Sequence, residues 1–169
     1  IIGASSSIAQ AIVEQLVDDL NTQIILVGRD LSMYTENFPT YDNVFQVLIA
    51  DYEESLINLA VEEIEQKKLA PIRQIFICNG LLHNKKIQPE KKLEDFNPSS
   101  FTEIMKANTL TPILWIKALL PLITLQEDWK IVVFSARVGS ISDNKLGGWF
   151  CYRSSKAALN MLLKNVAIE

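Results

Sequence analysis

The strongest constraint on how this chain folds is an alternation of short apolar runs with amphipathic stretches, kept up from one end to the other. Ile1-Ile2, Gln23 to Val27, Val44 to Ala50, Ile72 to Cys78 and Trp129 to Ser135 have the length and apolar content of strands. Ile24–Val27 and Ile131–Phe134 lack polar alternation, which predicts strands buried on both faces. The segments between them follow a helical period. Ile8, Ile12, Val13, Leu16 and Leu20 line one face after the first run; Leu56, Leu59, Ala60 and Ile64 form the inward face of a helix predicted over 56–68. A long helix is predicted over 100–122 and a last one over 154–168. The order β-α-β-α-β-α-β-α-β-α predicts an α/β fold, a doubly wound parallel sheet in three layers. Such a sheet needs an apolar chain, and 49% hydrophobic residues in 169 supply it.

The first connection carries chemistry. Gly3-Ala4-Ser5-Ser6-Ser7 lies between the first strand end and the helix that opens near Ile8. The first N–H groups of a helix have no internal partner, so a small-residue turn leading into one is an anion site, and the natural anion is a dinucleotide pyrophosphate. An ordinary Ser-capped helix would read the same way, and the turn has one Gly where a full dinucleotide fingerprint has three. The second strand ends at Gly28-Arg29-Asp30, where an enzyme of this architecture meets the adenosine ribose. An arginine there accepts a 2′-phosphate and tilts the expectation to NADP over NAD; a plain surface Arg-Asp pair is the alternative.

Tyr152-Arg153-Ser154-Ser155-Lys156 places a phenol and an ammonium on one helical face, one turn apart. A tyrosine ionises near pH ~10, and lowering that by ~3 pH units takes about 4 kcal/mol of differential stabilisation. A close cation such as Lys156, together with a charged cofactor ring, could supply it. The pair would then exchange a proton with a carbonyl or an alcohol. A tyrosine and a lysine at this spacing also occur by chance on exposed helices, so the pair gains meaning from its company.

Taken together these segments resemble the short-chain dehydrogenase/reductase superfamily over essentially the whole chain, with the stretch 135–149 similar to the C-factor and sniffer-type carbonyl reductases. The resemblance implies one NAD(P)-binding, Rossmann-type domain over 1–169, short of the family's usual length at both ends and lacking its C-terminal strands. It implies Gly3, Ser5, Ser6, Ser7 and Ile8 as the cofactor turn and Arg29 at the ribose. Asp51 becomes the adenine contact, and Asn79-Gly80 a strand end beneath the cofactor. Asn108, Ser135, Tyr152 and Lys156 become the catalytic set, with Tyr152 and Lys156 also touching cofactor and Asn108 holding a water of the proton relay. Three departures stand out. Ser7 and Ala9 occupy the places of two glycines, which would put a Cβ against the pyrophosphate at each. Cys78-Asn79-Gly80 replaces a pair of asparagines followed by Ala-Gly. Aligning on Gly139 puts the catalytic serine position on Ala136, so Ser135 is offset by one and faces the other side of a regular strand; Ser140 or Ser142 could then supply the hydroxyl, or Tyr152 could act alone.

The implied function is NADPH-dependent reduction of an aldehyde or ketone by a cytoplasmic homodimer or homotetramer. A nucleotide-binding signalling or regulatory protein with weak or no turnover is the alternative. A net charge of -4 without a basic stripe argues against nucleic acid. No apolar run reaches the ~18 residues that span a bilayer, and no secretory pattern opens the chain. Cys78 and Cys151 read as reduced thiols. His83, the one histidine, has no companions that would make a metal site, and 83–98 reads as a charged surface loop. Trp149 and Phe150 either line a substrate pocket or pack their loop.

Overall fold

The computed structural model describes residues 1–37, 41–123 and 128–169. Among the described residues four strands are present: β1 (Ile24–Gly28), β2 (Val44–Leu48), β3 (Gln74–Ile77) and β4 (Lys130–Val133). The helices are α1 (Ser7–Leu16), α2 (Ser32–Asn37), α3 (Glu54–Gln66), α4 (Pro98–Met105), α5 (Thr111–Leu119) and α6 (Phe150–Val166). All pairing is parallel. Ile24 to Gly28 face Val44 to Leu48, and Gln74 to Ile77 face Lys130 to Val133. The apolar run at the start of the chain is the link: Ile2 bridges Val27 on one side and Ile77 on the other. Its N–H donates to Phe76 O at 2.7 Å and its carbonyl accepts from Cys78 N at 2.8 Å. The order β2-β1-Ile2-β3-β4 is the parallel α/β arrangement that the alternation predicts.

The chain divides into two compact units, Ile1–Asn79 with Leu114–Val133, and Gly80–Ile113 with Phe134–Glu169. The first contains the sheet. Its core includes Ala4, Val13, Leu26, Leu31 and Tyr34. Tyr34 donates from its buried hydroxyl to Ala4 O at 2.7 Å, which ties α2 to the turn before α1.

Both amphipathic helices of this unit are rotated from the predicted faces. α1 buries Ala9 and Val13, whereas Ile8 is 44% exposed, and Leu20, beyond the helix end, is 73% exposed. α3 buries Ile57, Ala60, Val61 and Ile64, leaving Leu59 exposed. Apolar residues occupy two adjacent stripes on each helix, so periodicity cannot choose between them and tertiary packing does. The prediction for the last strand also needs correction. In β4, Lys130 and Val132 are exposed and Ile131 and Val133 only half buried, so the burial on both faces predicted for 131–134 is not found there.

In the second unit the long helix predicted over 100–122 is interrupted. α4 begins two residues early, because Asn97 Oδ1 accepts from Ser99 N and Ser100 N at 2.9 and 3.1 Å and Pro98 occupies the first turn. A π turn over Lys106–Leu110 then separates α4 from α5. Pro112 is the cause: it has no N–H for the Asn108 carbonyl four residues back, and its ring would strike that carbonyl in a regular helix. α6 starts at Phe150, four residues before the predicted start, so Tyr152 and Lys156 lie in its first two turns. A small core of Ile87, Ile104 and Cys151 holds α4 and α6 together. Ile87 and Glu90 are buried, so the stretch from 83 to 98 is not wholly the surface loop predicted for it.

Candidate functional site

In the first unit the expected cofactor residues surround the turn before α1. Gly3 has φ +73°, and a Cβ there would lie 2.7 Å from Asn79 N. Only glycine fits on both counts, and its absence of side chain lets the turn approach the strand end. The N–H groups of Gly3 and Ala4 donate to Val27 O at 2.9 and 3.0 Å. Ser6 is the N-cap of α1, its hydroxyl accepting from Ala9 N at 3.2 Å. Ser5, Ser7 and Ile8 are exposed, and the N–H groups of Ser7 and Ile8 find no acceptor among the described residues. Ala9, in contrast, is fully buried. Its methyl group packs into the core, so of the two substituted glycine positions only Ser7 puts a Cβ on the exposed side.

Arg29 is exposed and lays its guanidinium over the Tyr52 ring, 5.6 Å from the centroid. Asp30, beside it, is used locally. Its Oδ1 accepts from Ser32 Oγ at 2.7 Å and Ser32 N at 3.0 Å, which caps α2 and holds its carboxyl below the usual range. Asp51 is exposed and accepts from Tyr52 N. Tyr52 meets the buried Trp115 edge-on at 6.4 Å. The exposed N–H groups and the cradle at Gly3 fit the pyrophosphate of a nicotinamide dinucleotide.

The second unit gathers Gly80, Asn108, Tyr152 and Lys156. Asn108 is fully buried: its Oδ1 accepts from Leu81 N at 2.6 Å, and its Nδ2 donates to Leu81 O at 2.8 Å and Ser155 Oγ at 3.0 Å. Thr109 Oγ1 donates to Ser155 O at 2.9 Å, a second tie from the π turn to α6. A Cβ on Gly80 would sit 3.6 Å from Asn108 Oδ1 and 3.7 Å from Lys156 Nζ. Lys156 is 3% exposed, its ammonium donating to Phe134 O at 2.9 Å and lying 5.8 Å from the centroid of the Tyr152 ring. Gly139 makes this possible, since a Cβ there would be 2.8 Å from Lys156 Cβ.

The electrostatics differ from the expectation of an acidified phenol. Burial pushes the Tyr152 phenol above the ordinary tyrosine value and pulls Lys156 below the ordinary lysine value. The ammonium lies over the ring face, and the chain's own groups do not lower the phenol.

Ser135 is exposed, and its hydroxyl donates to Asn160 Oδ1 at 2.6 Å. Ser140 Oγ lies 3.4 Å from Ser142 Oγ and accepts from Asp143 N. No hydrogen bond joins any of these serines to Tyr152 among the described residues. His83 is exposed. Cys78 and Cys151 are buried free thiols, pushed by burial up to about 11 and about 12. Among the described residues no helix is long and apolar enough to cross a membrane. Sequence reasoning passed over Ser155, which joins Asn108 to α6, and Glu90, whose carboxylate is buried at the start of α6. Ser155 stands inside the Tyr-Lys motif and could have been found there; Glu90 carries no local signal.

The family model for short chain dehydrogenases matches residues 1–169. The chain belongs to the short-chain dehydrogenase family. This is a family of oxidoreductases that use nicotinamide cofactors. Over 58 residues, 34% of this chain and 25% of the relative, the chain is 47% identical to 1-hydroxy-2-glutathionyl-2-methyl-3-butene dehydrogenase of Rhodococcus sp. strain AD45. Over 77 residues, 46% of each protein, it is 30% identical to the C-signal of Myxococcus xanthus. In fold it is similar to the protein described as the carbonyl reductase Sniffer of Caenorhabditis elegans, with a TM-score of 0.81 at 24% identity over 99% of this chain and 77% of the other. The chain spans between 25% and 66% of the length of the curated relatives it matches.

Proposed function

We propose that this chain is one NAD(P)-binding domain of an NADPH-dependent reductase that converts an aldehyde or ketone into an alcohol. The observation that carries the reading is the buried Lys156 ammonium over the Tyr152 ring, bordered by Gly80 and Asn108. The N–H groups at Ser7 and Ile8 would hold the pyrophosphate, Arg29 the 2′-phosphate and Asp51 the adenine, with Asn79 and Gly80 beneath the cofactor. A bound nicotinamide supplies a hydride to the carbonyl carbon. Tyr152, kept protonated by its burial, gives its proton to the oxygen as negative charge develops there. Lys156 then stabilises the phenolate that remains.

The Asn108 side chain is committed to Leu81 and Ser155. A water that returns a proton to Lys156 would therefore rest on the Asn108 carbonyl, the group that Pro112 deprives of its helical donor. Ser135, committed to Asn160, takes a supporting part, and Tyr152 is the sole proton donor. Leu110 and Met161 add exposed apolar surface to the helical unit, which suits a homodimer or homotetramer.

The test is a fluorescence titration with NADPH and NADH, followed by turnover of a panel of aldehydes and ketones. Selective NADPH binding with turnover that Tyr152→Phe abolishes supports the reading. Binding of neither nucleotide would sink it. Similarity to the C-signal favours a second reading, a nucleotide-binding signalling protein, which predicts binding without turnover on any carbonyl.

A further inference from the structure

The helix that carries Tyr152 starts without a cap of its own. The residue in the cap position of α6 is Trp149, with φ +51° and ψ 42° and no side-chain cap hydrogen bond. Gly147 and Gly148, just before it, have φ +65° and +64°. Glycine enters this left-handed region freely; a tryptophan, with its Cβ, does not. Such a conformation survives only where the surroundings over-determine it, and it tends to mark places where geometry serves function.

Glu90 is what holds it. Its main-chain oxygen accepts from Trp149 N at 2.6 Å, and its Oε1 accepts from Cys151 N at 3.4 Å. The residue is 5% exposed, and a Cβ on Gly148 would come within 3.1 Å of the Glu90 carbonyl, so the two backbones are in close contact. A distant carboxylate thus does what a serine or aspartate at the cap would ordinarily do, and its charge suits the positive end of the helix.

The strained residue has a definite neighbour. The Trp149 indole meets the Tyr152 ring edge-on, with centroids 6.3 Å apart and planes at 78°. Lys156 Nζ approaches the same ring, 5.8 Å from its centroid. The phenol therefore has an aromatic edge as one boundary and an ammonium as another. We propose that Glu90 and Trp149 are positioning residues for Tyr152: Glu90 fixes the first turn of α6, and the indole restricts the phenol ring to the setting that keeps Lys156 over it. This rests on Tyr152 as the proton donor. It adds two residues that act through Tyr152.

The test places 3-fluorotyrosine at position 152 and follows its 19F resonance in the protein, in Trp149→Gly, in Trp149→Phe and in Glu90→Gln, alongside melting temperature, nucleotide affinity, kcat and KM. Trp149→Gly relieves the left-handed backbone, so the fold should melt no lower than the parent. Its fluorine line should nevertheless shift or split, and kcat should fall ~10-fold to ~100-fold with KM nearly unchanged, as small misplacements of a reacting group do. Trp149→Phe restores an aromatic edge and should recover both signals. Glu90→Gln should move the fluorine line in the same direction by less. If Glu90→Gln does not fold, Trp149→Gly still decides the matter. An unmoved resonance in Trp149→Gly overturns the proposal. If the parent reduces no carbonyl, the catalytic reading of Tyr152 fails, while the fluorine line still reports whether Trp149 positions its ring.

Discussion

The two units present their chemistry in opposite ways. The first offers exposed main chain: the N–H groups at Ser7 and Ile8, a glycine at φ +73°, and an exposed Arg29. The second offers buried side chains: Asn108 at 0% exposure and Lys156 at 3%. Holding an anion needs only donors pointed at an opening, which a turn before a helix supplies. Moving a proton needs groups whose pKa values are set by burial and by each other, which takes a packed interior. Damage to the first unit should therefore appear mainly as lost binding, and damage to the second mainly as lost turnover.

The sharpest test of that contrast is Tyr152→Phe. It removes one hydroxyl and should reduce kcat/KM by ~10²- to ~10⁴-fold, the range of a general acid, with nucleotide affinity nearly intact. A matching loss of affinity would blur the division between units. Next comes a pair of glycines. Gly3→Ala meets Asn79 N at 2.7 Å in a left-handed conformation, and Gly139→Ala meets Lys156 Cβ at 2.8 Å. Gly3→Ala should cost more than ~1–2 kcal/mol of stability, the penalty of the left-handed backbone alone. In denaturant titrations both should be destabilised. Gly3→Ala should lose nucleotide binding first, and Gly139→Ala should lose turnover first.

Smaller effects refine the comparison. Arg29→Ala should weaken NADPH by about 1.5–3 kcal/mol, the worth of a hydrogen bond to a charged group, and leave NADH almost unchanged. Equal losses for the two nucleotides would remove the 2′-phosphate from Arg29. Ser135→Ala breaks an exposed bond to Asn160 and should cost roughly 1 kcal/mol or less of stability and little turnover; a drop as large as that of Tyr152→Phe would return Ser135 to the catalytic set. Cys78 and Cys151 mark the interiors of both units. With thiol pKa values raised to about 11 and about 12, the reactive thiolate is scarce below those values. A disulfide reagent at pH 8 should label neither in the native protein and both after unfolding.

Much of the arrangement was legible from residues alone. The strand-turn-helix at Gly3 to Ile8, the Tyr-Lys spacing and the parallel order all follow from local patterns with a physical cause. What was not legible is a matter of choice between equals. The sequence 56–61 offers two adjacent apolar stripes, and packing chose Ile57 and Val61 over Leu59. Pro112 announces a helix defect, yet its consequence, a π turn centred on Asn108, depends on how α4 and α5 are each held. The effect of the Ala9 substitution turned on which way its methyl points, and it points inward.

By itself, then, the sequence determined the parallel α/β order, the small-residue turn before α1 and the motif residues, because each depends on neighbours within a few positions along the chain. Only the tertiary structure decided that the Tyr152 phenol is raised and not lowered, that Ser135 serves Asn160, and that Glu90 caps α6 from 61 residues away. Those outcomes depend on burial and on contacts distant in sequence, which no local spacing encodes.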